Sequence, residues 1–397
     1  MPDFQSRRHL FSIPDGVVYL DGNSLGPLPN AASKRIANTV EKEWGIDLIR
    51  AWNTAGWIDW PANLGDRIAP LVGATPGTVT VGDTLSIRIF QVLAAALRMR
   101  PDRKVILTDS GNFPSDIYMA DGLARLVNDG HRIEAVEPEA VADRLVDDVA
   151  VLMLTHVDYR TGRMHDMAEL TGLAHEVGAL TIWDLAHSAG AVPVDLDGAK
   201  ADFAAGCTYK YLNGGPGSPG FVYVRPDHIE TVEPALSGWL GHADPFAFEL
   251  DYTPAKGRDR MRIGTPSVIA LAALDAALDA WSDVDMRDVR QRSIELTQLF
   301  IDEMEARIPE AKLVSPRAAE ARGSHVSFSH PEGYALMQAL IARGVIGDFR
   351  APDMMRFGIA PLYNTKDDIR AAVTALKEIL ESGEWDQDRF KTRAAVT

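Results

Sequence analysis

Ala179-Leu180-Thr181-Ile182-Trp183-Asp184-Leu185-Ala186-His187 is an apolar run that ends on a carboxylate, with an imidazole three residues further on. The next such run, Ala201-Asp202-Phe203-Ala204-Ala205-Gly206, leads into Cys207-Thr208-Tyr209-Lys210-Tyr211-Leu212-Asn213 and so ends near a lysine. Outward from this pair, short apolar runs at 79–81, 105–107, 133–136, 149–154, 180–183, 203–205 and 221–224 alternate with amphipathic segments. That is the rhythm of β-α units wound into a mostly parallel sheet. One intervening segment, 167–177, places Leu170, Leu173, Ala174 and Val177 on a single stripe, as a helix laid on a sheet requires.

After residue 265 the texture changes. Helical patterns over 268–281 and 286–307 precede short strands around 326–328 and 355–357 and a final helix over 366–380, with the tail 391–397 expected to fray. The 397 residues thus divide into an N-terminal segment, 1–50, that packs on the small domain, a large α/β domain, 51–282, and a small α+β C-terminal domain, 283–397.

Composition narrows the classes of function. Hydrophobic residues at 46% and charged residues at 24% exclude a disordered or low-complexity chain. Lys and Arg (40) against Asp and Glu (56) give a net charge of -16, which repels phosphate backbones and anionic membranes, so no nucleic acid or membrane partner is expected. The single cysteine, Cys207, excludes a disulfide framework and any centre built on several thiolates, and no metal is expected. No apolar run approaches a membrane span of roughly 18 residues. Met1 to Arg8 lead into no apolar stretch, so a secretory leader is not expected and the cytoplasm is.

Ligands of a doubly wound sheet bind at the carboxyl ends of its strands, which is where Asp184 and Lys210 fall. Asp184 taken alone reads equally as a helix cap. A lysine after a buried strand either snorkels to solvent or is used, because desolvation lowers its pKa and frees the amine for a Schiff base. An aspartate and a lysine at successive strand ends suit pyridoxal phosphate, the first keeping the ring nitrogen protonated, the second forming the imine. Thr84-Leu85-Ser86 ahead of a helix offers backbone N–H groups and a hydroxyl to a phosphate. Phe113, in Phe113-Pro114-Ser115-Asp116, could cover a planar ring. Gly214 to Gly220 lacks the Gly-Lys-Ser/Thr ending of a P-loop and reads as a turn.

Taken together the motifs resemble, from end to end, the bacterial kynureninases, pyridoxal-phosphate enzymes of the aminotransferase class V group. The resemblance is carried by Tyr19-Leu20-Asp21-Gly22-Asn23-Ser24-Leu25-Gly26, Phe113 to Asp116, Asp184 to His187, Tyr209 to Asn213, Arg262-Ile263-Gly264-Thr265-Pro266 and Arg356-Phe357-Gly358-Ile359-Ala360-Pro361-Leu362-Tyr363. It implies the aspartate-aminotransferase fold (fold type I), a homodimer with its active site at the subunit interface, and hydrolysis of L-kynurenine to anthranilate and L-alanine in tryptophan breakdown, with the 3-hydroxy derivative as a further substrate. It also implies roles. Lys210 holds the cofactor and moves the α-proton, Asp184 pairs with the pyridinium nitrogen, and Tyr209 reaches the phosphate and protonates the β-carbon. Leu85 and Ser86 bind phosphate, Phe113 stacks on the ring, and Asp116, Thr155 and His187 line the cofactor. Trp239 and Thr265 complete the phosphate site across the interface. Arg356 clamps the substrate carboxylate, with Asn23, Trp57 and Gly264 as further substrate contacts, and Trp57, Gly264 and Thr265 follow the pattern that favours kynurenine over its 3-hydroxy derivative.

Competing readings are a cysteine desulfurase or selenocysteine lyase, an aminotransferase, and a catalytically inactive binding protein of the same fold. A desulfurase needs a mobile nucleophilic thiol, and Cys207 is placed inside the sheet by its position three residues before Lys210. Decay would be expected to strike at least one of Lys210, Asp184, Tyr209 and Arg356, all of which are present.

Overall fold

In the computed structural model, which describes residues 4–393, the seven apolar runs form one sheet. Its strands are β1 (Val79–Val81), β2 (Val105–Asp109), β3 (Arg132–Val136), β4 (Val149–Thr155), β5 (Leu180–Asp184), β6 (Phe203–Gly206) and β7 (Phe221–Val224), in the order β1-β7-β6-β5-β4-β2-β3. Pairings among β2 to β6 are parallel, and β7 runs antiparallel to both β1 and β6. Residues 394–397 of the tail expected to fray lie outside the described residues.

Alternation along the strands sends Leu107, Leu152, Leu154 and Trp183 into one buried layer and Ile106, Val151, Met153 and Ile182 into the other. Both faces of the inner strands are covered, which is why their runs are almost continuously apolar, whereas the edge strand β3 is partly exposed and carries Arg132 and Glu134. The helix Met167–Glu176 covers the first face with Leu170 and Ala174, and Leu85–Met99 covers the second with Ile89, Val92, Leu93 and Ala96. Just ahead of β6, the buried Asp202 meets Arg225, His175 and His228 and accepts from the Thr181 backbone. Burial opposes its ionisation, but the two imidazole hydrogen bonds and the Arg225 charge hold the carboxyl well below its ordinary range. This clamp ties the starts of β5 and β6 to the end of β7.

A second, antiparallel sheet is built from β8 (Lys312–Leu313), β9 (His325–Ser329), β10 (Asp348–Arg350) and β11 (Met354–Gly358), in the order β8-β9-β11-β10. Phe300, Val326, Phe328, Met355, Phe357, Ile369 and Val373 form its core with the helices Met286–Arg307, Gly333–Ala342 and Lys366–Ser382. The first fifty residues touch both cores. Leu20 is buried in the small one and Val18–Tyr19 pairs in parallel with Val345–Ile346, whereas Phe4 and Phe11 enter the large one and Asn30–Asn38 lies against Val268–Asp279. Among the described residues no helix is long and apolar enough to cross a membrane, and no cluster of His, Cys, Asp or Glu could hold a metal ion.

Candidate active site

Six of the residues singled out in the sequence, Lys210, Tyr209, His187, Phe113, Asn23 and Arg356, line one cleft of about 160 Å³. Ser24, Tyr159 and Arg350, which sequence reasoning did not single out, complete its wall. Strand geometry explains the convergence: β4, β5 and β6 are adjacent and parallel, so the residues that follow their apolar runs emerge at one edge. Thr155 and Asp184 end neighbouring strands in register, and Lys210 stands in the loop after β6.

Asp184 is buried. Its Oδ1 accepts from the Ala186 backbone at 2.8 Å, an Asx turn rather than a helix cap, and its Oδ2 lies 3.4 Å from the Thr155 hydroxyl, which itself donates to Asn112 Oδ1 at 2.5 Å. Among the described residues it makes no ion pair. Burial raises its carboxyl, against the pull of the Lys210 charge. Asp116 stands beside it, raised well above the carboxylate range by burial and by the Asp184 charge, and therefore carries the proton of the pair. The other Asp116 oxygen, Oδ2, is buried without a partner.

Lys210 Nζ lies 3.2 Å from His187 Nε2. Burial first, then the Lys210 and Arg356 charges, hold His187 well below the usual imidazole range, so it is neutral and accepts from Lys210 Nζ. His187 Nδ1 has no partner among the described residues. His325, at the start of β9, sits with its ring centroid 5.6 Å from that of His187, buried, with both nitrogens unpartnered and its pKa lowered to about 3 by burial and then by Arg356. Burial, with Cys207 adjacent, raises the Tyr209 hydroxyl above its ordinary value, so it holds its proton.

A histidine kept neutral by folding makes the fold sensitive to acid. The unfolded imidazole binds a proton below about pH 6.5 and the folded His325 does not until about 3, so its share of stability is present at pH 7 and is lost as pH falls through that window. Each such histidine contributes about 1.4 kcal/mol per pH unit inside it. His325→Phe, which keeps an aromatic ring and removes both nitrogens, is expected to flatten the fall in unfolding free energy between pH 6 and 4 by about 1.4 kcal/mol per pH unit, with a matching flattening of the melting temperature. An unchanged slope in scanning calorimetry would contradict this account of His325.

Arg356, on β11, is fully buried. Its Nε donates to Asp348 Oδ1 at 2.7 Å, its Nη2 to Asp348 Oδ2 and to Ser24 Oγ, and its Nη1 to the Tyr159 carbonyl. The Tyr159 ring in turn meets Phe113 edge-on with centroids 5.1 Å apart. Ser24 belongs to the quoted N-terminal motif, and Asp348 and Arg350 form a charged-apolar-charged alternation with Phe349, signals too short to read in isolation.

At the start of Leu85–Met99 the cap is Thr84, whose hydroxyl accepts from Ile87 N. Ser86 is left free of capping and lies 2.9 Å from the Ser115 hydroxyl. Gly220 lets the chain pass close to Leu85, since a Cβ there would stand 3.0 Å from the Leu85 nitrogen.

Nine expected site residues do not line the cleft: Asp184, Asp116, Thr155, Leu85 and Ser86, described above, and Trp57, Gly264, Thr265 and Trp239. The Trp57 indole N–H donates to Glu43 at 2.9 Å. Gly264 and Thr265 border a different cavity, beside Thr84, Arg88 and Arg262. Trp239 is 39% exposed and meets Phe246 edge-on. Cys207 is buried, its thiol raised by burial and directed at the Ala186 carbonyl.

Residues 289–376 match the family model described as the kynureninase C-terminal domain. A curated kynureninase from Pseudomonas fluorescens is 52% identical over 98% of this chain and 95% of its own length, and one from Burkholderia pseudomallei (strain 1106a) is 50% identical over the same shares. Among solved structures, apo cysteine desulfurase from Thermococcus onnurineus NA1 aligns with a TM-score of 0.81 at 19% identity, covering 95% of this chain and 98% of that one. A C-DES mutant with glycine covalently linked to its PLP cofactor aligns with a TM-score of 0.82 at 21% identity, covering 95% of this chain and all of the other. The structural likeness carries the type I fold, and the sequence likeness over nearly the whole chain carries the rest: the chain belongs to the kynureninase family.

Proposed function

We propose that the chain hydrolyses the Cβ–Cγ bond of L-kynurenine to give anthranilate and L-alanine, using pyridoxal phosphate. The observation that carries this reading is the meeting of Lys210, His187, Tyr209 and Arg356 in one cleft, in a chain about half identical to curated kynureninases along nearly its whole length. The cofactor's groups find matching partners. Asp184 is a buried carboxylate with no ion-pair partner among the described residues, as a ring N–H⁺ requires, and His187 Nδ1 and Asp116 Oδ2 are buried polar atoms lacking partners among them. Leu85 and Ser86, freed from capping by Thr84, would hold the phosphate, Phe113 and Thr155 would flank the ring, and Lys210 would anchor the aldehyde carbon. When bound, pyridoxal phosphate supplies an electron sink for charge developing on the substrate's α- and β-carbons.

The chain's own residues then divide the work. Arg356 orients the substrate through its carboxylate, the Lys210 amine carries the α-proton, and the neutral Tyr209 hydroxyl delivers a proton to the β-carbon. Neutral His187 accepts a hydrogen bond from Lys210 and does not compete for positive charge. Trp239 and Thr265, together with the exposed Phe246, Phe248 and Leu250, support a homodimer in which one subunit completes the phosphate site of the other. The cores of the large and small sheets support the division into 51–282 and 283–397, with Val289, Ala360, Leu362 and Tyr363 of the second part packing into the large core and 1–50 touching both. A location in the cytoplasm is in keeping with this metabolic role.

The purified protein, supplied with cofactor and L-kynurenine, is expected to release fluorescent anthranilate and alanine in equal amounts, with kynurenine favoured over 3-hydroxykynurenine in kcat/KM. Sulfur release from cysteine without kynurenine cleavage would favour the desulfurase reading instead.

A further inference from the structure

Arg356 has little left to offer an incoming carboxylate. A guanidinium carries five N–H donors, and four of those of Arg356 are already directed at Asp348, Ser24 and Tyr159. Arg350 is differently placed. It lines the same cleft, its side chain is 33% exposed, its Nη2 reaches Asp348 Oδ2 at 2.8 Å, and its Nη1 meets the Phe349 carbonyl at 3.0 Å. Its remaining N–H groups have no acceptor among the described residues.

We propose that Arg350 is a second carboxylate-binding residue of the cleft, sharing the carboxylate of a 2-amino-4-aryl-4-oxobutanoate with Arg356 across Asp348. The inference rests on the function proposed above and adds a residue to it. A partly exposed cation with donors to spare and a buried one with a single donor left form a two-guanidinium seat, in which Asp348 holds both forks in place until the substrate arrives.

Charge balance gives the seat a second signature. Asp21 and Asp348 oppose Arg350 and Arg356, two against two, and a substrate carboxylate makes a third negative charge. Asp21 is half-buried, and its Oδ1 is buried without a partner among the described residues. Burial and the Asp348 charge push its carboxyl up to about 7, against Arg356, the Ser24 hydrogen bond and Arg350. Tyr19, Tyr211 and Tyr363, the other titratable groups around it, are kept protonated by burial. Asp21 is therefore the group that takes up a proton as the carboxylate binds.

The test uses holoenzyme and two probes that cannot form an imine: 4-(2-aminophenyl)-4-oxobutanoate, and its neutral amide. Arg350→Gln is expected to weaken the acid about tenfold and to leave the amide within about twofold, as loss of one partly exposed charge-assisted contact requires. Calorimetry at about pH 8 in buffers of different ionisation enthalpy should show proton uptake with the acid that is lost in Asp21→Asn. Equal binding of the acid by Arg350→Gln and the unaltered enzyme, or equal weakening of both probes, overturns the proposal. Uptake that persists in Asp21→Asn overturns the role given to Asp21. If such results come from a protein that cleaves kynurenine, the functional reading stands and only the seat falls; a protein that neither cleaves kynurenine nor binds the acid refutes both.

Discussion

Lys210→Ala should lower turnover of L-kynurenine by on the order of a thousandfold or more, because one side chain performs two tasks. Its amine is the only nucleophile in the cleft able to anchor an aldehyde, and it is the base placed to carry the α-proton. The fold should survive: Lys210 makes no ion pair among the described residues, and its hydrogen bond to His187 is replaceable by water entering the vacated volume. Borohydride reduction of the loaded protein followed by peptide mapping should label the peptide containing Lys210 in the parent and leave the variant unlabelled. Small primary amines added to the variant should restore part of the lost rate, since an external base can occupy the space left by the side chain. A variant that keeps more than about a tenth of parental turnover would remove Lys210 from the chemistry.

How much of this was legible in the sequence depends on how local each signal is. The inner strands were readable because a sheet covered on both faces demands nearly unbroken apolar runs, and Asp184 and Lys210 stood out because they come at or just after the ends of such runs. The helix stripe at 170, 173, 174 and 177 was readable for the same reason, with Leu170 and Ala174 buried and Leu173 and Val177 packed against the same core. The guanidinium seat was not. Its members come from residues 24, 159, 348, 350 and 356, and the Ser24 to Arg356 contact spans 332 positions, so no window of sequence brings them together. His325 was equally hidden, because an imidazole inside a five-residue strand looks like any half-polar position until both its nitrogens are found buried and unpartnered. Trp57 shows the converse. The motif pointed it at the substrate, but Glu43, fourteen positions earlier and held by Arg35 and Asn38, takes its N–H.

Asp184→Asn should cost about 100- to 1,000-fold in kcat/KM with little loss of fold, and the contrast between the two effects is what makes it informative. The amide is nearly isosteric. Its oxygen can accept from Ala186 N as the carboxylate does, and its NH2 can turn to Asp116, which then gives up its proton and accepts. The local network stays satisfied, and the melting temperature should move by only a few degrees. A neutral amide cannot stabilise positive charge on a ring nitrogen, however, and in the parent no second carboxylate shares that task, since Asp116 is held protonated beside Asp184. In the variant Asp116 regains a charge but stands beside that position and not in it, so rescue is incomplete. The double variant Asp116→Asn/Asp184→Asn removes that rescue and should be slower than either single variant. Cofactor content, kcat/KM and thermal midpoint measured on the three proteins separate the outcomes. A single Asp184→Asn variant within about threefold of the parent would show that the carboxylate serves the Asx turn alone.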